Sequence, residues 1–161
     1  MYKTVFAATA GLHVDTMTMK ILLVAYLVSL AILQGVESDT IACTGTHRYH
    51  ATGTAYYPDP SPLEGGYVDM HDTPLQTLQA YLEGKASVVT VAMDNHAGIR
   101  YDTPVCIPEL NHKYNRFIDF RVRDTGSAFT NKGHSRIDIC VRTRHDSYDN
   151  TINGPLTLVF H

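Results

Sequence analysis

From residue 86 to the C-terminus, apolar and polar residues alternate in short runs set off by turn-forming residues, the pattern of strands rather than helices. ASVVTVAMD (86–94) is a largely apolar run ending in Asp94, and TPVCIPEL (103–110) is a strand-like run bounded by prolines. FIDFRVRD (117–124), SRIDICV (135–141) and GPLTLVFH (154–161) complete the series. Upstream, a short strand is predicted from Thr54 to Tyr57. It is closed by Pro58, Pro60 and Pro62, and Gly65-Gly66 reopens the chain. Residues 39–53 show little periodicity and read as a loose polar lead. One helix is signalled, in DTPLQTLQAYLEG (72–84): Thr73 as N-cap, Pro74 at the first position, Gln76 completing a capping box, an apolar stripe of Leu75, Leu78 and Leu82, and Gly84 past the end. One helix against five or six strands predicts a mainly β fold closed into a small barrel, because an open sheet of this size would leave edges to protect.

The N-terminal segment breaks the pattern. Lys20 precedes ILLVAYLVSLAIL, an uncharged apolar run of 13 residues, and QGVES follows, with Val36 and Ser38 as the small residues of a cleavage site. The run is shorter than the roughly 20 residues of a membrane span. Residues 1–38 are therefore expected to be an extension plus a secretory signal, and 39–161 a single secreted domain that no membrane holds once the signal is gone. Length supports one domain: 161 residues at 44% hydrophobic content suffice for one core. With 13 basic against 16 acidic side chains and no basic run, nucleic acid is not an expected partner.

Export gives Cys43, Cys106 and Cys140 a meaning, since an oxidising compartment permits disulfides and an odd count leaves one thiol free. A bridge pinning the lead through Cys43 to the barrel is plausible, but the pairing is not readable from sequence. No C-x-x-C and no zinc-type Cys/His spacing occurs, so neither a metal nor a cofactor is expected. His47 and His50 would need a helix to share a face, and they read as surface imidazoles.

The chemistry concentrates in RVRDTGSAFTNKGHSRIDICV (121–141). Ile118, Phe120 and Val122 fall on one face of the incoming strand and Ile137, Ile139 and Val141 on one face of the outgoing one, which turns Asp138 away from the core. Asp124 ends the first strand at a Thr-Gly turn. Two carboxylates at the facing ends of linked strands can hold one another apart in ionisation, as an acid catalyst requires. An Asp in that place also serves simply as an Asx-turn cap. Tyr56, Tyr57 and Tyr67 offer aromatic faces for a sugar ring in a chain without Trp. Lys132 and Arg136 flank the loop, where they could contact an acidic sugar, and His134 could carry a proton. Ser127 has no His-Asp relay and is not a nucleophile candidate.

The order TAY, VVTVAMD, Pro-Val with Ile-Pro, RDTGSAF and RIDICV resembles the 3D domain, the six-stranded double-psi β-barrel of lytic murein transglycosylase A and of secreted cell-wall-active proteins. The resemblance covers roughly residues 54–161 and places the family's three aspartates on Asp94, Asp124 and Asp138. Ser127 stands where the family usually shows a second Gly, and the loop from Phe129 to Arg136 is slightly long. The resemblance implies a monomeric, cofactor-free enzyme acting on peptidoglycan or a related polysaccharide. Asp138 would be the acid and then the base, Asp124 the charged partner, and Asp94 a residue that orients a loop. Related barrels imply two alternatives: an inverting endoglucanase-like hydrolase, and a non-catalytic carbohydrate-binding or inhibitory module of the barwin or expansin type.

Overall fold

The computed structural model describes residues 15, 17, 19, 20, 41–61 and 66–161. The expected signal segment, Pro62 and Gly65 lie outside the described residues, apart from four positions of the segment. The chain divides into two units, Met1–Ser38 and Asp39–His161, and the fold below belongs to the second. Among the described residues no helix is long and apolar enough to cross a membrane.

Six strands form one sheet: β1 (His47–Tyr56), β2 (Val89–Ala92), β3 (Thr103–Val105), β4 (Phe120–Asp124), β5 (Arg136–Cys140) and β6 (Pro155–Phe160), in the order β3-β4-β2-β5-β1-β6. The ends meet: Cys106, just past β3, exchanges both backbone hydrogen bonds with Val159 of β6, which closes the barrel. The pairing carries an internal symmetry. β1 runs parallel to β5 and antiparallel to β6, while β4 runs parallel to β2 and antiparallel to β3. Exchanging the first three strands with the last three maps one set onto the other, with antiparallel β2 and β5 at the centre. Strands β1 and β2 thus flank β5 while β4 and β5 flank β2, the two interlocked crossings of a double-psi β-barrel.

The alternation read from sequence holds where it was strongest. Ile118, Phe120, Val122, Ile137, Ile139 and Val141 are all fully buried and fill the interior with Val89, Val91, Leu156 and Leu158. Three expectations need correction. β1 begins seven residues before the expected Thr54, inside what read as a loose lead, because its outward positions are exposed polar residues and its inward ones include Ala51 and Gly53. Gly53 is required there: a Cβ would lie 2.3 Å from the Ile152 carbonyl oxygen and 2.4 Å from Leu156 Cδ1. On a strand His47 and His50 face opposite sides, so they cannot share a ligand.

The first helix, α1 (Leu78–Leu82), is capped by Thr77, whose side chain accepts from the Ala80 amide, not by Thr73. Pro74 instead pairs as a bridge opposite Val68, and Gln76 exchanges bonds with Thr90 of β2, so residues 74–76 are extended rather than helical. Leu78 alone of the stripe is fully buried; Gly84, at φ +71°, does follow the helix end. TPVCIPEL is a strand only to Val105. Pro108 opens a second helix, α2 (Pro108–Tyr114), with Glu109 in its first turn and His112 and Lys113 in its last.

Candidate functional site

On β1 and β5 the odd and even positions separate: Ile137 and Ile139 go inward, and Thr54, Tyr56, Asp138 and Cys140 share the outer side through the register Thr54↔Asp138 and Tyr56↔Cys140. Ala92 of β2 is in register with Asp138 on one side and, after a bulge, with Asp124 on the other. The two aspartates therefore lie two strand spacings apart, roughly 9.5 Å between Cα atoms at 4.7–4.9 Å per strand.

Their surroundings differ. Asp138, with 14% of its side chain exposed, pairs with Arg136, whose Nε and NH2 donate to Oδ1 and Oδ2 at 3.2 and 3.1 Å, and its Oδ1 also accepts from the Thr54 hydroxyl. It acts as an acceptor held on several sides. Asp124 is half-buried without a cation. Its Oδ1 accepts from its neighbour's amide, Thr125, at 2.9 Å and its Oδ2 from the Tyr56 hydroxyl at 3.0 Å. Burial pushes the Asp124 carboxyl above its ordinary range despite the two hydrogen bonds, and the nearby charge of Asp69 adds to the rise.

The carboxyl that burial raises is thus Asp124, and the like charge that adds to the rise is Asp69. Pattern reading passed over Asp69. It is 4% exposed, accepts from the His71 and Thr73 amides and from the Tyr101 hydroxyl, and sits in a segment tied to β4 through the Met70 amide and the Arg123 carbonyl. The local signal available was an Asp followed at two and four residues by polar positions, an Asx-type turn.

Asp94 is a loop pin. Only 3% exposed, it accepts from the His96 amide at 3.0 Å and from the Gly133 amide at 2.9 Å, joining the turn after β2 to the loop before β5. The Gly133 amide, then that of His96, holds its carboxyl below the ordinary range against the opposing effect of burial. Beside this pin opens a cavity of about 190 Å³, lined by Asp94, Asn95, His96, Thr125, Gly126, Ser127 and Thr130, the last four following Asp124 in the chain.

The three tyrosines separate. Tyr56 is half-buried with its hydroxyl on Asp124, Tyr57 packs against the core, and Tyr67 is 58% exposed. Arg136 is engaged by Asp138 and lies over the Phe129 ring at 5.2 Å, whereas Lys132 is exposed. His134 stacks on Tyr49 at 3.9 Å between ring centres, one residue after the Gly133 amide that Asp94 holds. Cys140, the free thiol, is buried behind Tyr56, and burial together with the Asp124 charge pushes it up to about 12. Among the described residues no three His, Cys, Asp or Glu side chains are grouped to hold a metal ion. No family model matches the chain, and no curated protein matches it.

Proposed function

We propose that this is a secreted enzyme that cleaves a β-1,4-linked cell-wall polysaccharide, peptidoglycan first among them, with Asp124 as the proton donor. One observation carries the reading: a half-buried carboxyl, raised by burial and with no cation on it among the described residues, ends β4, and the next residue, Thr125, lines the cavity between the turns that follow β2 and β4. Oδ1 accepts from the Thr125 amide and Oδ2 from the Tyr56 hydroxyl, so the two bonds orient the carboxyl while burial works against its charged form. The donor gives its proton to the glycosidic oxygen as the bond to the anomeric carbon breaks; the C6 hydroxyl of the same sugar then bonds to that carbon and returns its proton to the Asp124 carboxylate. Asp138, held by Arg136 and Thr54, offers negative charge to the positive charge developing on the ring. Export is supported by the Cys43–Cys106 disulfide, which suits an oxidising compartment.

The wide spacing of the two aspartates favours a second reading of the same site. A hydrolase of the inverting kind needs its carboxyls about 6.5–9.5 Å apart to seat a water, and aspartates on strands two places apart in the sheet are compatible with such a gap. Product analysis separates the two: an anhydro end marks a transglycosylase and a reducing end a hydrolase.

Purified cell walls digested by the wild type, Asp124→Asn and Asp138→Asn, with soluble fragments read by mass spectrometry, test the assignment. Asp124→Asn is expected to lose about two to four orders of magnitude in rate, and wild-type activity should fall as pH rises through the Asp124 titration. Full activity in Asp124→Asn would remove the donor role, and a larger loss in Asp138→Asn would return it to Asp138. Wall binding with no fragments released would make the barrel a binding module.

A further inference from the structure

The barrel has a second concave feature that the aspartates do not use. Odd-numbered residues of β1 point inward, so His47 and Tyr49 face the interior at the strand's first turn, opposite Phe160 and Leu158 of β6. Here the barrel is open, and a cavity of about 270 Å³ occupies its end, lined by those rings with His134, His161, Thr103 and the turn Ala97–Ile99. Tyr49 and His134 stack, and Phe160 meets both edge-on, with ring centres 5.9 and 5.2 Å away. This is a concave mouth that mixes aromatic faces with convergent polar groups, a form that suits a small polar ring at a barrel end.

Its chemistry differs from that of the outer wall. Three imidazoles and one threonine hydroxyl supply hydrogen bonds, and no Asp, Glu, Lys or Arg lines it. Burial lowers the His134 imidazole below its ordinary range, which disfavours its charged form. Neither a cation nor a strong anion finds a counter-charge among these side chains. A neutral ring carrying hydroxyls finds both aromatic surface and hydrogen-bond partners. The place matters as well. The turn after β2 lines the outer cavity through Asp94, Asn95 and His96 and the mouth through Ala97, Gly98 and Ile99, and the Asp94–Gly133 bond ties it to the loop that bears His134. The two cavities therefore share the turn 94–99 as a common lining.

We infer that the open end of the barrel is a second subsite, which takes an uncharged sugar ring of the same glycan several units from the bond to be cleaved. The inference rests on the proposed glycan-cleaving function but not on which aspartate gives the proton. Its test is an amide-resolved NMR titration of the double variant Asp124→Asn, Asp138→Asn with β-1,4-linked N-acetylglucosamine oligomers of about two to six units. Long oligomers should shift the amides of Tyr49, Ile99, Thr103 and His134 and bind more tightly than short ones. Adding His134→Ala or His47→Ala should remove most of that gain, about tenfold in affinity. Equal affinity at every length, or shifts confined to residues 94–96 and 125–130, would overturn the subsite while leaving the catalytic reading intact. Shifts at the mouth in a protein whose wild type releases no fragments would uphold the subsite and remove the enzyme.

Discussion

Asp124 sits under a constraint that its neighbours cannot relieve. The unfolded chain exposes a carboxyl that titrates near the ordinary 3.8, whereas the folded chain holds its proton to higher pH because burial penalises the charge. Between those two values the folded state binds more protons than the unfolded one, so its stability falls as pH rises. The favourable contribution is complete below pH 3.8 and is lost once pH passes the folded-state titration. Asp124→Asn keeps an acceptor for Thr125 and a partner for Tyr56 but carries no charge to desolvate. Melting of the two proteins across pH 3 to 8 should show the variant gaining on the wild type as pH rises, with little difference at the acid end. A constant offset would mean that the carboxyl is free of this penalty, and the proton-donor argument would lose its electrostatic support. Asp94 has the opposite sign, since amides lower it, and its contribution is lost only as pH falls through its depressed titration.

The elements divide into those set by local pattern and those set by what they pack against. β4 and β5 were legible because buried branched residues alternate with charged ones, and Asp138 faces outward for that reason. The first half of β1 was not, since a strand that joins the barrel with alanine and glycine inward leaves no hydrophobic period to read. Thr73 and Pro74 imitate a helix start, but Gln76 bonds to the β2 backbone and delays the helix to Thr77. Similarly, the ion pair of Asp138 with Arg136 and the charge of Asp69 near Asp124, which set the surroundings of the two carboxyls apart, are facts of packing that no local pattern carries. Helix α2 exists for a buried polar hub. Fully enclosed Asn111 donates to the Ile41 carbonyl at 3.1 Å and to Cys106 Sγ at 3.3 Å, and accepts from the Ile118 amide at 3.0 Å. Asn111→Ala leaves a buried N–H and C=O without partners, at an expected cost of about 2–4 kcal/mol. Urea denaturation gives that number, and a loss below about 0.5 kcal/mol would show that water replaces the side chain.

At the scale of the whole barrel the question is what keeps it closed. Five of the six seams are ladders of two or more residue pairs, and the sixth, between β3 and β6, is the lone Cys106–Val159 bridge. Cys106 is also the residue that the disulfide ties to Cys43 in the segment leading into β1, 63 positions away in sequence. The cross-link thus fastens β1's lead to the weakest seam, and Asn111 reinforces the same corner. Closing a loop of that length removes unfolded-chain entropy worth about 4 kcal/mol in the loop-closure account. Replacing both cysteines by serine should therefore lower stability by about 2–4 kcal/mol. It should also raise amide exchange at Val159 and Cys106 before it does so in β2, β4 and β5, whose ladders lie on the far side. Exchange that rises evenly over all six strands would mean that the bond stabilises only through the unfolded chain and that the seam holds without it. Cys140, buried and pushed up to about 12, should stay unlabelled by a thiol reagent in the folded wild type, so any label found on it reports global opening.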